Sequence, residues 1–195
     1  MTIELNQAFM FNKVTIKKKF LKVIGGEFRI YDENERLILF AEQEGLKIRG
    51  VFHVYPDENK TVEILGITTS QIIDFAASYT ITDAMTKESI GAVKREGIRS
   101  IVMDEWTLMN SQGMPVGKLK EENVFGAVLS RMIKLIPQKY LITAEGEREV
   151  AKITRHFDPF ILKYDMTITD INPVIDRRII FGALILLAAI EGREK

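Results

Sequence analysis

Ile179-Ile180-Phe181-Gly182-Ala183-Leu184-Ile185-Leu186-Leu187-Ala188-Ala189-Ile190 is the stretch whose reading decides the fold; Arg177-Arg178 leads into it and Glu191-Gly192-Arg193-Glu194-Lys195 follows. These twelve apolar or small residues fall short of a membrane span, which needs roughly 20 at about 1.5 Å rise per residue. A run with no polar stripe reads instead as a helix enclosed by protein on every side. Gly182, Ala183, Ala188 and Ala189 would let surrounding backbone come close. A helix is predicted over 173–190, with Asn172 as N-cap, Pro173 in the first turn, Asp176 at the positive end and Gly192 as the stop. The rest of the chain must supply the enclosure.

Four stretches upstream repeat one pattern. Phe28-Arg29-Ile30-Tyr31-Asp32 leads through a polar turn to Leu37–Ala41, and Tyr79-Thr80-Ile81-Thr82-Asp83 leads to Ile90-Gly91-Ala92-Val93. Trp106-Thr107-Leu108-Met109-Asn110 leads to Val116-Gly117-Lys118-Leu119, and Tyr140-Leu141-Ile142-Thr143-Ala144 to Val150-Ala151-Lys152-Ile153. Each unit is aromatic-x-aliphatic, a turn, then an aliphatic strand; in three of the four a small residue follows the first aliphatic of that strand. The alternation has the period of a half-buried strand, and the Asp, Asn and Gly between are turn formers.

With the remaining runs the count reaches about twelve strands, near 14–23, 26–32, 37–43, 46–55, 61–69, 74–83, 90–96, 98–109, 115–121, 138–144, 148–157 and 160–169. One stretch breaks the series. Val124, Phe125, Val128, Leu129, Met132, Ile133 and Ile136 have helical spacing, which predicts a further amphipathic helix near 121–136, ended by Pro137. An antiparallel sheet of this size closes rather than leaving edges. A barrel of about eight strands fills itself with side chains, whereas a wider one leaves a hole that a helix about 10–12 Å across can plug. The expected fold is therefore mainly β (α+β): a closed antiparallel barrel of about 12 strands around a buried apolar C-terminal helix, forming one domain over 1–195.

Composition narrows the chemistry. Lys and Arg number 27 and Asp and Glu 27, so no net charge draws the chain to nucleic acid. With no cysteine and only His53 and His156, thiolate chemistry, Cys-type zinc sites and multi-histidine metal centres are excluded. Phosphate loops, dinucleotide glycine motifs and nucleophile elbows are absent. The expectation is no enzyme, no catalytic residue, no cofactor and no metal. Met1–Gln7 lacks the basic start and apolar run of a secretory leader, which places the chain by default in the cytoplasm.

A closed barrel of about twelve strands threaded by a terminal apolar helix resembles the Tubby C-terminal-like superfamily. The Tyr79–Val93 and Trp106–Leu119 hairpins, Gln71-Ile72-Ile73-Asp74-Phe75 and the Asp176–Gly192 segment are similar to its LURP-one-related and phospholipid scramblase-like branch. The resemblance covers the chain from about residue 8 and is nearest to small prokaryotic members. The resemblance is to a fold shared by phosphoinositide-binding, lipid-scrambling and functionally unassigned proteins, so it points toward phospholipid without fixing a function. Scramblases also imply a calcium segment ahead of the last helix; here Asp165–Asp176 holds three acids in twelve residues. Calcium takes six to eight closely clustered oxygens, and the spacing does not match.

The best binding candidate is Lys13-Val14-Thr15-Ile16-Lys17-Lys18-Lys19-Phe20-Leu21-Lys22. Lys13, Lys17, Lys18, Lys19 and Lys22 suit an anionic phospholipid surface, each worth up to about 1 kcal/mol near a membrane. Alternation lets Lys13, Lys17 and Lys19 share a face unless a bulge intervenes. Strand-face lysines also block edge pairing, so a cytoplasmic protein-interaction or scaffold domain without lipid affinity is the competing reading, its partner unnamed. Asp32-Glu33-Asn34-Glu35 and Asp57-Glu58-Asn59-Lys60 read as turn chemistry rather than metal loops. His53 and His156 read as structural or surface histidines.

Overall fold

A computed structural model of the chain describes residues 7–19, 26–44, 50–73, 76–95, 105–122, 138–158, 160–171 and 173–191. Twelve strands run in chain order: β1 (Lys13–Lys19), β2 (Gly26–Tyr31), β3 (Leu37–Glu44), β4 (Val51–Tyr55), β5 (Leu65–Ile73), β6 (Ala76–Asp83), β7 (Ser89–Arg95), β8 (Glu105–Asn110), β9 (Pro115–Glu121), β10 (Lys139–Ala144), β11 (Glu149–His156) and β12 (Ile161–Ile168). Each pairs antiparallel with its sequence neighbours, and β12 returns to β1 from Lys13↔Thr167 to Lys19↔Ile161 to close the barrel. A helix, α1 (Arg177–Glu191), follows β12.

All twelve expected strands are present. β5 starts at Leu65 rather than 61, because Asp57 binds the Asn59 N–H (2.8 Å) and the Thr61 hydroxyl (3.2 Å) and extends the preceding turn. Of the amphipathic helix near 121–136, Glu121 is the last residue of β9, and 123–136 lie outside the described residues.

The four repeated units share one geometry. Each hairpin carries a register shift at the same place, two to three residues after its aromatic: Ile30/Tyr31, Ile81/Thr82, Leu108/Met109 and Ile142/Thr143. A bulge there strengthens twist and bends the strand, as closure requires. Asp32, Asp83 and Asn110 then bind the amide two residues on, at 2.9–3.0 Å, setting the turn.

The alternation places the two signature residues of the unit at opposite ends of the interior. The aromatics Phe28, Tyr79, Trp106 and Tyr140, all buried, form a belt in the half away from these hairpins, where Phe52 and Tyr164 join them. Ring centroids lie 6.2 Å apart for Phe28–Phe52 and 6.3 Å for both Tyr79–Trp106 and Tyr140–Tyr164. The small residues lie at the hairpin end and seat the helix. A Cβ on Gly91 would collide with the Met109 carbonyl and come within 2.6 Å of Ile179 Cδ1; one on Gly117 would lie 2.5 Å from both Ile175 Cδ1 and the Thr143 carbonyl. A Cβ on Gly182 would meet the wall in the same way, 2.5 Å from Ile81 Cδ1.

From Ile179 to Ile190 every residue of α1 is buried. The helix starts at Arg177, four residues later than expected, and its cap is Asp176 rather than Asn172, which lies outside the described residues along with Gly192. Asp176 Oδ1 accepts the Arg178 N–H (2.9 Å) while its carbonyl accepts that of Ile179 (2.9 Å). The reason is tertiary: Ile175 is drawn into the barrel against Gly117 and Val174 is left exposed, so 173–175 cannot wind. A short 3-10 turn, Gln7–Met10, folds under this end; Phe9 packs edge-on to Phe181 at 5.3 Å, and Arg177 binds the Phe9 and Phe11 carbonyls (2.5 and 2.7 Å).

Gly91→Ala should destabilise the protein by about 1–3 kcal/mol, since the Met109 carbonyl cannot yield without moving β8. Gly66→Ala, where an added Cβ meets only Glu63 Oε1 at 3.5 Å, should stay within about 0.5 kcal/mol in the same urea titration. Equal effects would mean that Gly91 is not a helix seat.

Candidate functional site

β1 runs from Lys13 to Lys19 without a bulge, so strict alternation divides its lysines. Val14 and Ile16 are buried inside the barrel; Lys13 and Lys17 face out, and Lys18 faces in, its ammonium 5.0 Å from the Phe28 ring centroid. Lys13 pairs with Glu33 (3.1 Å) and Lys17 with Glu35 (3.7 Å), and Lys17 also lies 4.8 Å from the Tyr31 ring. Lys19 closes the ladder opposite Ile161, and Lys22 lies outside the described residues. The five lysines therefore do not form one face.

Barrel closure assembles a different group, three cations and a histidine. His156 pairs with Lys163, Lys163 with Lys17, and Lys17 with Arg29, a row across four neighbouring strands on the outer surface. Like charges directly opposite one another destabilise a sheet, and flanking carboxylates offset the row. Asp165 contacts His156 (2.6 Å) and Lys163 (3.8 Å) and accepts the Thr15 hydroxyl (2.7 Å). Glu58 accepts from Arg29 Nε at 2.8 Å, and that bond, outweighing partial burial, raises the Arg29 pKa further above its ordinary value. Such half-exposed pairs are weak, about 0–1 kcal/mol each, and can exchange for other anions.

The row runs obliquely: His156 and Lys163 lie toward the end of the barrel away from the hairpins, whereas Lys17 and Arg29 reach Glu35 and Glu58 of the β2–β3 and β4–β5 connections. At the end away from the hairpins the β11–β12 connection carries Phe157 and Phe160, 47% and 77% exposed. Just inside it, Arg155 faces the barrel interior, 5.9 Å from the Tyr164 ring and bonded to Gln138 at 2.6 Å; Arg95 lies likewise 5.8 Å from the Trp106 ring. Reading the chain linearly missed Arg29, Arg155, Lys163 and the two phenylalanines. Arg155 alone had a visible signal, being in phase with Ala151 and Ile153; the row needed the β1–β12 register.

The acids ahead of α1 are divided among separate partners. Asp165 serves the cationic row, Asp170 pairs with Arg148 (3.0 Å), and Asp176 caps the helix and pairs with Arg178 (2.7 Å). Among the described residues no group of three or more acids and histidines is placed to hold a metal. His53 sits on the outer wall between Glu63 (2.8 Å) and Glu44 (3.5 Å). In the Asp32 turn, burial opposes the carboxylate charge, but hydrogen bonds from Arg36 and Asn34 prevail and lower its pKa. No described helix is long and apolar enough to cross a membrane.

A family model described as LURP-one-related matches residues 12–188 of the chain. No curated protein matches it.

Asp176 yields a pH test. Burial opposes its charge, but the Arg178 guanidinium and amide hydrogen-bond to it and lower its pKa in the folded state. A lowered folded-state value stabilises fully above the unfolded value, near 3.9, and that stability is lost as pH falls through the folded value. Asp176→Asn keeps a capping side chain but removes the charge. Its melting temperature should lie below that of the wild type at pH 6–7, and the gap should close on acidification below about pH 4.

Proposed function

The chain belongs to the LURP-one-related family, and from that premise we propose that it is a non-enzymatic barrel, one domain from 1 to 195, that binds anionic phospholipid peripherally. The twelve-stranded barrel around one helix is consistent with the wider Tubby C-terminal-like superfamily and supports a binding role over catalysis. The observation that carries the lipid reading is the meeting of two features at one end. Phe157 and Phe160 stand exposed beside His156 and Lys163, and Lys17, Lys18 and Arg155 are close by in the ladder.

Exposed phenylalanines beside cations suit a membrane interface, where rings enter the headgroup layer and ammonium groups reach phosphates. Lys19 and Lys22 add to the same run of sequence. Lys13 belongs to the opposite end of β1 and contributes least. Calcium-driven scrambling forms no part of this reading, because Asp165, Asp170 and Asp176 have separate partners.

Vesicle co-sedimentation tests it. Binding to vesicles with a third phosphatidylserine should be weak, absent on phosphatidylcholine alone, and reduced as salt rises from about 50 to 150 mM, where screening lengths shorten to about 8 Å. Replacing Lys17, Lys18, Lys19, Lys22 and Lys163 with Gln should abolish binding while leaving the melting transition nearly unchanged, and Phe157→Ser with Phe160→Ser should weaken it about tenfold. Wild-type protein that ignores anionic vesicles at low salt would leave the interaction-domain reading in its place.

A further inference from the structure

The opposite end of the barrel presents a different surface. Eight large hydrophobic side chains are exposed among the described residues, and none lies in a strand. Six of them, Met10, Val62, Met85, Met114, Ile171 and Val174, belong to the hairpin end and are 42–78% exposed; Phe157 and Phe160 lie at the far end, whose other connections are outside the described residues. Scattered apolar residues are ordinary on a surface, whereas a concentration rimmed by polar groups marks an interaction site. Turn geometry does not ask for them: the Asp83 and Asn110 turns are set by those side chains and by Gly113 at φ 76°, so Met85 and Met114 are free choices.

These side chains stand on a fixed frame. The β6–β7 turn is tied to the β4–β5 loop by the Ala84 N–H to the Ile64 carbonyl (3.2 Å) and to α1 by Arg178 to Asp83 (3.1 Å). Asn110 donates its N–H to the Met114 carbonyl at 2.9 Å. A rim held in this way loses little freedom on binding.

Charge selects the partner. The segments forming this end, 7–12, 32–36, 56–64, 83–88, 111–114, 145–148 and 169–178, contain twelve Asp and Glu against six Lys and Arg. Of the six, Arg36, Arg148 and Arg178 are paired with Asp32, Asp170 and Asp83, and four of the acids, Glu33, Glu35, Glu58 and Glu147, take the strand cations Lys13, Lys17, Arg29 and Lys120 in half-exposed pairs that another cation can replace. Glu35 and Glu147 remain more than four-fifths exposed at the side chain. Such a surface repels nucleic acid and anionic lipid, and its complement is apolar on one side and cationic on the other. We infer that the hairpin end docks a basic amphipathic helix of a partner protein, whose apolar side lies on Met10, Met85, Met114 and Val174 while its Lys and Arg reach the rim carboxylates. Methionine suits this role because its unbranched, polarizable side chain adapts to varied shapes.

The probes are two synthetic 18-residue amphipathic helices of identical pattern, one Leu/Lys and one Leu/Glu, titrated into the full chain labelled at methionine methyls and followed by NMR and by calorimetry. The Leu/Lys helix should bind, shift the Met10, Met85 and Met114 methyls and no other methionine, and lose affinity as salt rises; the Leu/Glu helix should not bind. Met85→Ser combined with Met114→Ser should weaken binding at least tenfold at an unchanged melting temperature, while Phe157→Ser with Phe160→Ser should not change it. The inference is overturned by no binding, by equal binding of both helices, by shifts outside the rim, or by sedimentation showing that wild-type rims pair with a second copy of the chain. None of these outcomes bears on vesicle binding, which concerns the other end.

Discussion

A helix with no polar side can be stable in water only where something surrounds it, and a barrel of twelve strands lined with apolar residues can be stable only where something fills it. Each element supplies what the other lacks. The residues from Ile179 to Ile190 have no solvent-facing position, and the inward residues of the strands have no other partner of sufficient volume. Burial of large apolar side chains contributes about 1.5–3 kcal/mol each, an upper estimate, to this contact. The capping of α1 by Asp176 and the clamping of the N-terminal turn by Arg177 both serve to hold the filler at the right depth.

The repeated hairpin shows how a short pattern builds such a container. A bulge at one fixed position bends each unit in the same sense. The aromatic narrows the interior at the far end, and the small residue widens it where the helix passes. Gly91 and Gly117 thus have a packing reason rather than a turn reason. The left-handed turn positions are instead held mostly by other residues, Glu35, Lys60, Lys87 and Glu147, with Gly113 and Gly146.

The strands and the buried helix were legible because period-two alternation and an unbroken apolar run are local signals, and turn Asp and Asn residues punctuate them. The helix start was not legible. Asn172 and Asp176 are both acceptable caps by residue type, and the choice depends on Ile175 finding Gly117, a contact 58 positions away in sequence. The cationic row was hidden for the same reason on a larger scale: Lys17 and Lys163 become neighbours only when the last strand finds the first. Alternation did foresee that five lysines on one strand could not share a face, and it is Lys18 that turns inward.

The order of elements along the chain has a consequence for biosynthesis. All twelve strands precede α1, so the wall leaves the ribosome before its filling does, and the seam between β1 and β12 joins residues some 150 positions apart. Contacts of such separation form late and slowly. Strands that pair before α1 arrives would present an apolar concave face and two free edges, features that holdase chaperones bind and that favour aggregation when they are scarce.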